Sequence, residues 1–168
     1  MGVVGEPEDD QPADVPGPRT LESLYREAFV PSLRLARLLT GDRWVAEELV
    51  QDAFVRMAPR VGIVDVPEAY LRTIVVNLCR DHARRSRVRR DHVPAALAAP
   101  ESPIPGDEAV WRVVQGLPDR MREAVVLRYW ADLPFDEIAR LVGVRPATAR
   151  SLVRRGLERL KEVVTDDR

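Results

Sequence analysis

Apolar residues recur at steps of three and four along most of this chain, which is the spacing of amphipathic helices. Thr20 can cap a first helix, which Pro31 can interrupt and Gly41 ends. Asp42 can cap a second helix, and Pro67 suits the first position of a third. The predicted apolar stripes are Ala46, Leu49, Val50, Ala53, Phe54 and Met57 on the second helix, and Leu71, Ile74, Val75 and Leu78 on the third.

A second group of helices begins at Asp107, which can cap a helix that Gly116 ends. Asp119 can cap the next helix. Residues 134–141 then predict a short helix, residues 142–144 a tight turn, and residues 146–163 a longer helix. This is the layout of a helix-turn-helix. On the longer helix Ala149, Val153, Gly156 and Leu160 face the core, although a glycine within a helix costs up to about 1 kcal/mol.

Two stretches lack helical periodicity. Residues 1–19 are rich in Pro, Gly and acids, which predicts a disordered acidic tail. Four prolines among residues 93–105 predict a linker over residues 92–106. The expected fold is therefore all-α, with two small helical domains, 20–91 and 107–165, joined by a Pro-rich linker.

Composition narrows the class of protein further. The chain has 168 residues, of which 45% are hydrophobic and 32% charged, enough apolar content for two small cores. We find no apolar run that would insert into a membrane and no secretory signal, and we expect a cytoplasmic protein. Cys79 is the only cysteine, so an internal disulfide is excluded.

The net charge of −1 hides a strong segregation of charge. The tail holds five acids and one Arg, whereas the last predicted helix carries most of a basic cluster. Arginine guanidinium groups and hydroxyls at the start of that helix suit phosphates and guanine edges in the DNA major groove. The candidate DNA-binding residues on this helix are Thr148, Arg150, Ser151, Arg154 and Arg155.

A second polar stripe lies on the third helix, where Asn77, Arg80, Asp81 and Arg84 follow at steps of three, one and three. Arginines there attract a phosphate backbone, and Asn and Asp can hydrogen-bond to base edges of a separated strand. A solvated basic surface is the alternative interpretation of both arginine groups.

The sequence gives little support for a catalytic site or a metal site. Cys79, His82 and His92 are near one another in sequence, but they lie in or beside an Arg-dense segment without a second ligand pair. No phosphate-binding glycine loop or nucleophile triad is present. We expect neither an enzyme, nor a metal, nor a cofactor.

Taken together, the two halves resemble an RNA polymerase sigma factor of the extracytoplasmic-function group, and actinobacterial members above all. Residues 38–54, with the sequence AEELVQDAF at 46–54, resemble the region that binds the clamp helices of the polymerase beta-prime subunit. Residues 67–81 resemble the region that opens and reads the minus-ten element. Residues 117–155 resemble the region that reads the minus-thirty-five element.

The resemblance implies a function and its partners. Such a protein binds core RNA polymerase, including its beta flap, and directs promoter recognition, DNA melting and transcription initiation. Asn77, Arg80, Asp81 and Arg84 would serve the minus-ten element, and the arginine-bearing last helix the minus-thirty-five element. An anti-sigma factor is a further implied partner. The residues implied to bind polymerase are Glu47, Glu48, Leu49, Gln51, Asp52 and Phe54.

Two other interpretations remain open at this point. The second domain also fits a helix-turn-helix transcriptional regulator that does not join core polymerase, although the first ninety residues lack the strand and helix alternation of the usual phosphoacceptor domain. A helical protein-interaction adaptor with solvated arginines is the third. Departures from the family pattern at Arg145, Pro146, Ala147 and Leu152 leave the promoter sequence open.

Overall fold

A computed structural model of the protein describes residues 20–90 and 108–166, which form two helical bundles without a strand. The predicted tail, the linker and the proposed Asp107 cap lie outside the described residues. The described helices are α1 (Leu21–Thr40), α2 (Arg43–Met57), α3 (Pro67–Arg90), α4 (Glu108–Gln115), α5 (Asp119–Tyr129), α6 (Phe135–Val142) and α7 (Pro146–Asp166).

Helix α1 begins at the predicted cap, ends before the predicted Gly41, and is continuous between them. The Ser23 N–H donates to Thr20 Oγ1 at 3.1 Å, and the Thr20 N–H donates to Ser23 Oγ at 3.1 Å. The expected interruption at Pro31 is wrong, because the helix continues to Thr40. Pro31 itself is exposed, and packing of the buried residues on both sides of it offsets the missing backbone donor.

The predicted junction between α1 and α2 is confirmed. Gly41 adopts φ +75°, a conformation that favours glycine, and its N–H donates to Arg37 O at 2.8 Å. Asp42 Oδ1 then accepts the Val45 N–H at 3.1 Å and caps α2. The chain therefore reverses direction within two residues, and α2 packs back against α1.

The core of the first bundle uses the predicted stripes of α2 and α3. All six predicted apolar residues of α2 are buried, and Leu71, Val75 and Leu78 are buried on α3. At one end of this core the rings of Tyr25, Phe29 and Phe54 contact one another, with centroids 4.7 to 6.2 Å apart. The outer faces of both helices carry mainly polar residues, and Trp44 and Val55 of α2 are exposed among them.

The second bundle contains the predicted helix-turn-helix. Gly143 ends α6 at φ +72°, and α7 begins at Pro146. One expectation is wrong: Asp119 does not cap α5 but is its first residue, after Pro118. The Asp119 carboxylate instead pairs with the Arg122 guanidinium at 2.7 Å, within the first turn where a negative charge is favourable.

Gly156 allows α7 to approach α5 closely. A Cβ at this position would lie 2.5 Å from Val125 Cγ2, and Val125 is fully buried. The close packing of α7 against α5 therefore favours glycine at this position, which helical periodicity alone does not reveal. Ala149 and Val153 complete the buried face of α7, as predicted.

The two bundles contact each other through α1 and α3. Arg37 lies with its Cζ 5.0 Å from the centre of the Trp111 ring, and Gln115 Nε2 donates to Leu38 O at 3.0 Å. On α3, Arg72 Nη1 donates to Ala131 O at 3.0 Å. These polar contacts surround a hydrophobic core that is continuous between the bundles.

We expect Gly156→Ala to destabilise the protein by about 1 to 3 kcal/mol, although alanine is the better helix former, because the added methyl overlaps Val125. Thermal or denaturant unfolding measures the change. Gly62→Ala is the matched control: no atom lies within 4 Å of its added Cβ, and its φ is not positive. That variant should be neutral or more stable by less than about 1 kcal/mol. A Gly156→Ala protein as stable as the wild type would contradict the close approach.

Candidate nucleic-acid and polymerase interfaces

A cavity of about 450 Å³ opens between the end of α2 and the middle of α3. Its size lies within the range of ligand pockets, roughly 300 to 1,000 Å³. Its wall combines cationic, amide, carboxylate, aromatic and aliphatic groups. The lining residues are Arg56, Pro59, Arg60, Tyr70, Ile74, Asn77, Leu78 and Asp81.

The cavity offers hydrogen-bonding groups beside flat apolar surface. Asn77 supplies an amide with both donors and an acceptor, and Asp81 supplies an acceptor. The Arg60 guanidinium lies 5.7 Å from the centre of the Tyr70 ring. This is the chemistry with which proteins bind unpaired nucleobases, namely edge hydrogen bonds together with aromatic or guanidinium stacking.

The four residues predicted for the minus-ten element divide into two groups. Asn77 and Asp81 both line the cavity, and Arg84 Nη2 lies 3.1 Å from Asp81 Oδ1 at its edge. Arg80 lies instead against the second bundle, where its Nη1 is 3.6 Å from Glu123 Oε1. Neither Arg60 nor Tyr70 was singled out for this site from the sequence. Tyr70 lies seven residues before Asn77 on the same face of α3, so helical spacing could have identified it. Arg60 comes from the short helix after α2 and joins the site only through the fold.

The predicted duplex-binding face of α7 is a continuous polar surface. Thr148, Arg150, Arg154 and Arg155 are exposed, and Ser151 is half-buried. Ser151 Oγ donates to Ala147 O at 3.1 Å, one turn earlier. This basic surface begins at the N-terminal end of α7, where the exposed Arg145 directly precedes Pro146. In helix-turn-helix proteins the N-terminal residues of the second helix contact the base edges in the major groove.

One ring in this region was not anticipated from the sequence. Phe135, the first residue of α6, lies under two guanidinium groups: Arg128 Cζ is 5.2 Å and Arg150 Cζ is 5.7 Å from the ring centre. Arg128 Nη1 also donates to Leu133 O at 3.1 Å. Sequence spacing gives no sign of this cluster, since its members come from three different helices.

The outer face of α2 carries the predicted acidic surface. Glu48 and Gln51 are exposed, while Glu47 and Asp52 are half-buried. Asp52 Oδ2 lies 2.9 Å from Arg56 Nη2, and Glu47 Oε1 lies 3.0 Å from Arg43 Nε. These pairs are exposed enough that each contributes only a few tenths of a kcal/mol.

Two residues proposed for polymerase binding do not belong to that face. Leu49 and Phe54 are each 6% exposed and pack in the core. Their side chains follow the inward stripe of α2, so a partner on the outer face cannot reach them directly. Leu49 and Phe54 pack beneath the outer face of α2. The candidate residues for direct contact with polymerase are therefore Glu47, Glu48, Gln51 and Asp52.

The Cys79 thiol is poorly suited to metal binding or nucleophilic chemistry. It is 3% exposed, and burial raises its pKa to about 12, so it stays protonated at neutral pH. Within residues 20–90 and 108–166, His, Cys, Asp and Glu side chains do not assemble in groups of three that could hold a metal ion. The helices of these two ranges are too short or too polar to cross a bilayer.

Family models match both bundles. Residues 24–89 match the model described as Sigma-70 region 2, and residues 107–160 match the model described as Sigma-70, region 4. The first match contains the cavity and the acidic face of α2. The second contains the helix-turn-helix.

Individual relatives agree with the family models. The chain is 31% identical over 137 residues to an RNA polymerase sigma-E factor of Streptomyces avermitilis, a match that covers 77% of this chain and 76% of the relative. It is 29% identical over 154 residues to the ECF RNA polymerase sigma factor SigE of Mycolicibacterium smegmatis, covering 84% of this chain and 60% of that one.

Solved structures share the fold. The extracytoplasmic-function sigma factor SigJ of Mycobacterium tuberculosis matches with a TM-score of 0.61 and 25% identity, over 83% of this chain and 53% of that one. The sigma factor RpoE of Bartonella quintana, solved with the anti-sigma factor NepR, matches with a TM-score of 0.62 and 23% identity, over 88% of this chain and 99% of that one. With both regions present in order and the relatives agreeing, this chain belongs to the sigma-70 family, as an RNA polymerase sigma factor of the extracytoplasmic-function group.

Proposed function

We propose that this sigma factor holds promoter DNA at two points, with the cavity beside α3 capturing an unpaired base of the minus-ten element and α7 reading duplex at the minus-thirty-five element. The observation that carries the proposal is the grouping of Asn77 and Asp81 with Arg60 and Tyr70 around one cavity. The matches to both sigma regions, rather than the cavity, weigh against the two alternative functions. The catalytic chemistry belongs to the polymerase, and this chain acts in the cytoplasm as an initiation factor rather than an enzyme.

Base capture at the cavity supplies the free energy for strand opening. Taking a base out of the stack costs a few kcal/mol, which hydrogen bonds and stacking in a pocket offset. Asn77 would read the edge of the base, the Arg60 and Tyr70 pair would offer a stacking surface, and Arg84 would follow the phosphate backbone. The single-stranded base can bind there only after the duplex has opened, so the cavity favours the open state.

Duplex reading by α7 depends on arginine chemistry. An arginine can bond to O6 and N7 of guanine with two parallel hydrogen bonds, whereas the hydroxyls of Thr148 and Ser151 suit the phosphate backbone. Arg154 pairs with Glu158 at 3.1 Å in the free protein. That pair is exposed and weak, so phosphate or guanine can replace the carboxylate.

The acidic face of α2 is the proposed contact with the beta-prime clamp helices, and the second domain would lie near the beta flap. Family likeness supports both contacts, and the exposed carboxylate of Glu48 supplies charge for a basic partner surface. The Bartonella relative was solved with an anti-sigma factor, and we include a protein of that kind among the partners of this chain.

The two domains must separate before both elements can be bound. Arg80 belongs to the minus-ten surface yet pairs with Glu123 of the second domain. The minus-ten and minus-thirty-five elements lie about 25 base pairs apart, roughly 85 Å of duplex at about 3.4 Å per base pair, whereas a packed protein of this size is only about 40 Å across. Binding of both elements therefore requires the contacts at Arg37, Arg72 and Arg80 to open.

We expect the double variant Glu48→Lys and Asp52→Lys to lose at least about tenfold in affinity for core polymerase, because it reverses two charges on the proposed docking face. Both side chains are at least partly exposed, so stability should change by only about 0.5 kcal/mol. Equilibrium binding of labelled full-length chain to core polymerase measures the affinity. The control variant replaces Glu22 and Glu27, on the exposed side of α1, with Lys. It reverses the same number of charges and should bind core polymerase as the wild type does. Equal affinity of the α2 variant and the wild type would contradict this docking face.

We expect Asn77→Ala to keep closed-complex affinity and its salt dependence while strand opening falls, since the uncharged amide is proposed to contact only the unpaired base. Permanganate reactivity of unpaired thymines in the holoenzyme complex reports opening. Thr73→Ala, one turn earlier on α3, is the matched control: Thr73 is exposed, does not line the cavity, and should open promoters normally. Normal opening by Asn77→Ala would remove base capture from this cavity.

A further inference from the structure

The ring of Phe135 connects the two structural halves of the helix-turn-helix at its DNA-facing end. Phe135 begins α6, and the ring lies within cation–π distance of Arg150 on α7, at 5.7 Å. Arg128 on α5 lies 5.2 Å from the same ring. One aromatic side chain therefore contacts guanidinium groups from both neighbouring helices.

Arg128 is fixed independently of DNA. Its Nη1 donates to Leu133 O at 3.1 Å and lies 4.0 Å from Asp132 Oδ1. Asp132 itself adopts φ +52°, so the turn between α5 and α6 is bent tightly at this point. The bent turn and the Arg128 contact together fix where Phe135 enters α6.

Arg150 and Arg154 differ in what holds their guanidinium groups. Arg154, one turn further along α7, is held by the carboxylate of Glu158, which competes with DNA for the guanidinium. Arg150 is held by an aromatic face instead, and a ring contact leaves the N–H groups of the guanidinium edge available for hydrogen bonds. A guanidinium plane fixed in this way loses less conformational freedom when it binds a guanine edge or a phosphate.

We propose that Phe135 is a positioning residue for recognition of the minus-thirty-five duplex, and that its ring holds the Arg150 guanidinium in the orientation that contacts DNA. The inference rests on the proposed duplex-reading role of α7. Phe135 itself does not contact DNA in this account, and its effect passes entirely through Arg150.

The competing explanation is that Phe135 only packs. The ring is half-buried and lies against the hydrophobic core of the second bundle. A packing role predicts that loss of the ring weakens DNA binding to the same extent whether or not Arg150 is present. A positioning role predicts that the loss disappears once Arg150 has been removed, which a double-mutant cycle measures.

The test uses holoenzyme assembled from the full chain and core polymerase, and closed-complex affinity for a promoter duplex that the wild-type holoenzyme has selected from a random pool. Phe135→Leu should lower the affinity about three- to tenfold, the range that a cation–π contact provides. Phe135→Tyr should restore it. In the Arg150→Ala background, Phe135→Leu should change the affinity less than about twofold. In the Arg154→Ala background the effect of Phe135→Leu should persist in full, because Arg154 pairs with Glu158 rather than with the ring.

A second measurement does not depend on how well Phe135→Leu folds. Replacing ring hydrogens of Phe135 with fluorine keeps the shape of the side chain and weakens the negative face of the ring. Affinity should fall stepwise with each fluorine in the wild-type chain and stay constant in Arg150→Ala. The same substitution at Phe29, which stacks on Tyr25 at 4.7 Å in the first domain, is the control and should leave affinity unchanged.

The outcomes separate this inference from the proposed function. If Arg150→Ala weakens binding but neither Phe135→Leu nor fluorination does, positioning by Phe135 is wrong and duplex reading by α7 stands. An equal loss from Phe135→Leu in both Arg150 backgrounds means that the ring only packs, which also overturns the inference. If Arg150→Ala and Arg154→Ala both bind as the wild type does, the duplex-reading role itself fails, and the inference fails with it.

Discussion

The contact of Arg37 with Trp111 lies where the two domains meet, and much of the observed arrangement depends on it. Arg37 is only 5% exposed, and an arginine removed from water needs compensating partners. The indole ring of Trp111 provides a face for the guanidinium, and Gln115 bonds to the carbonyl of Leu38 in the following residue. The same helix, α1, also packs against α2 and α3. Helix α1 therefore organises the first bundle and, together with Arg72 and Arg80 of α3, holds the second bundle against it.

Burial of the apolar stripes leaves charged residues on two outward faces, although Trp44 and Val55 of α2 are exposed as well. The apolar stripes of α2 and α3 are occupied by the first core, and those of α5, α6 and α7 by the second. The acidic outer face of α2 and the basic face of α7 remain for partners. Their opposite charges suit different partners, because DNA attracts arginines and repels carboxylates. A net charge of −1 conceals this division completely.

Helical periodicity and capping residues were sufficient to predict most of the fold. The Thr20 and Asp42 caps, the glycine turn at Gly143 and the buried stripe of α2 all follow from local rules, and the structure confirms them. Local rules failed at Pro31 and Asp119. Tertiary packing overrides a missing donor at Pro31, and Pro118 takes the position before α5 that Asp119 was expected to occupy.

The candidate site was harder to predict, because its parts meet only in three dimensions. Asn77 and Asp81 could be identified from their spacing on one helix. Tyr70 shares that face of α3 and could have been identified in the same way. Arg60 reaches the cavity from the end of the preceding segment, and Phe135, Arg128 and Arg150 come from three different helices. A glycine inside a helix lowers helix stability, and the sequence alone gives no reason for Gly156. The structure gives one, because a side chain at this position would clash with Val125. Spacing along the sequence shows which residues share one face of a helix, but it does not give the distance between faces of different helices.

The central claim is that two separate surfaces of this chain bind two separate promoter elements at the same time. Site-specific photo-crosslinking in the full holoenzyme tests it most directly, with a photoreactive amino acid at Thr73 in one preparation and at Ala147 in another, followed by mapping of the crosslinked nucleotides. Both positions are exposed and neither is a proposed contact residue, so Asn77 and Arg154 stay intact. The account predicts that position 73 crosslinks to an unpaired strand near minus ten, only when the strands are open, and that position 147 crosslinks to duplex near minus thirty-five. Crosslinks from both positions to the same element, or from position 73 to closed duplex, would contradict it.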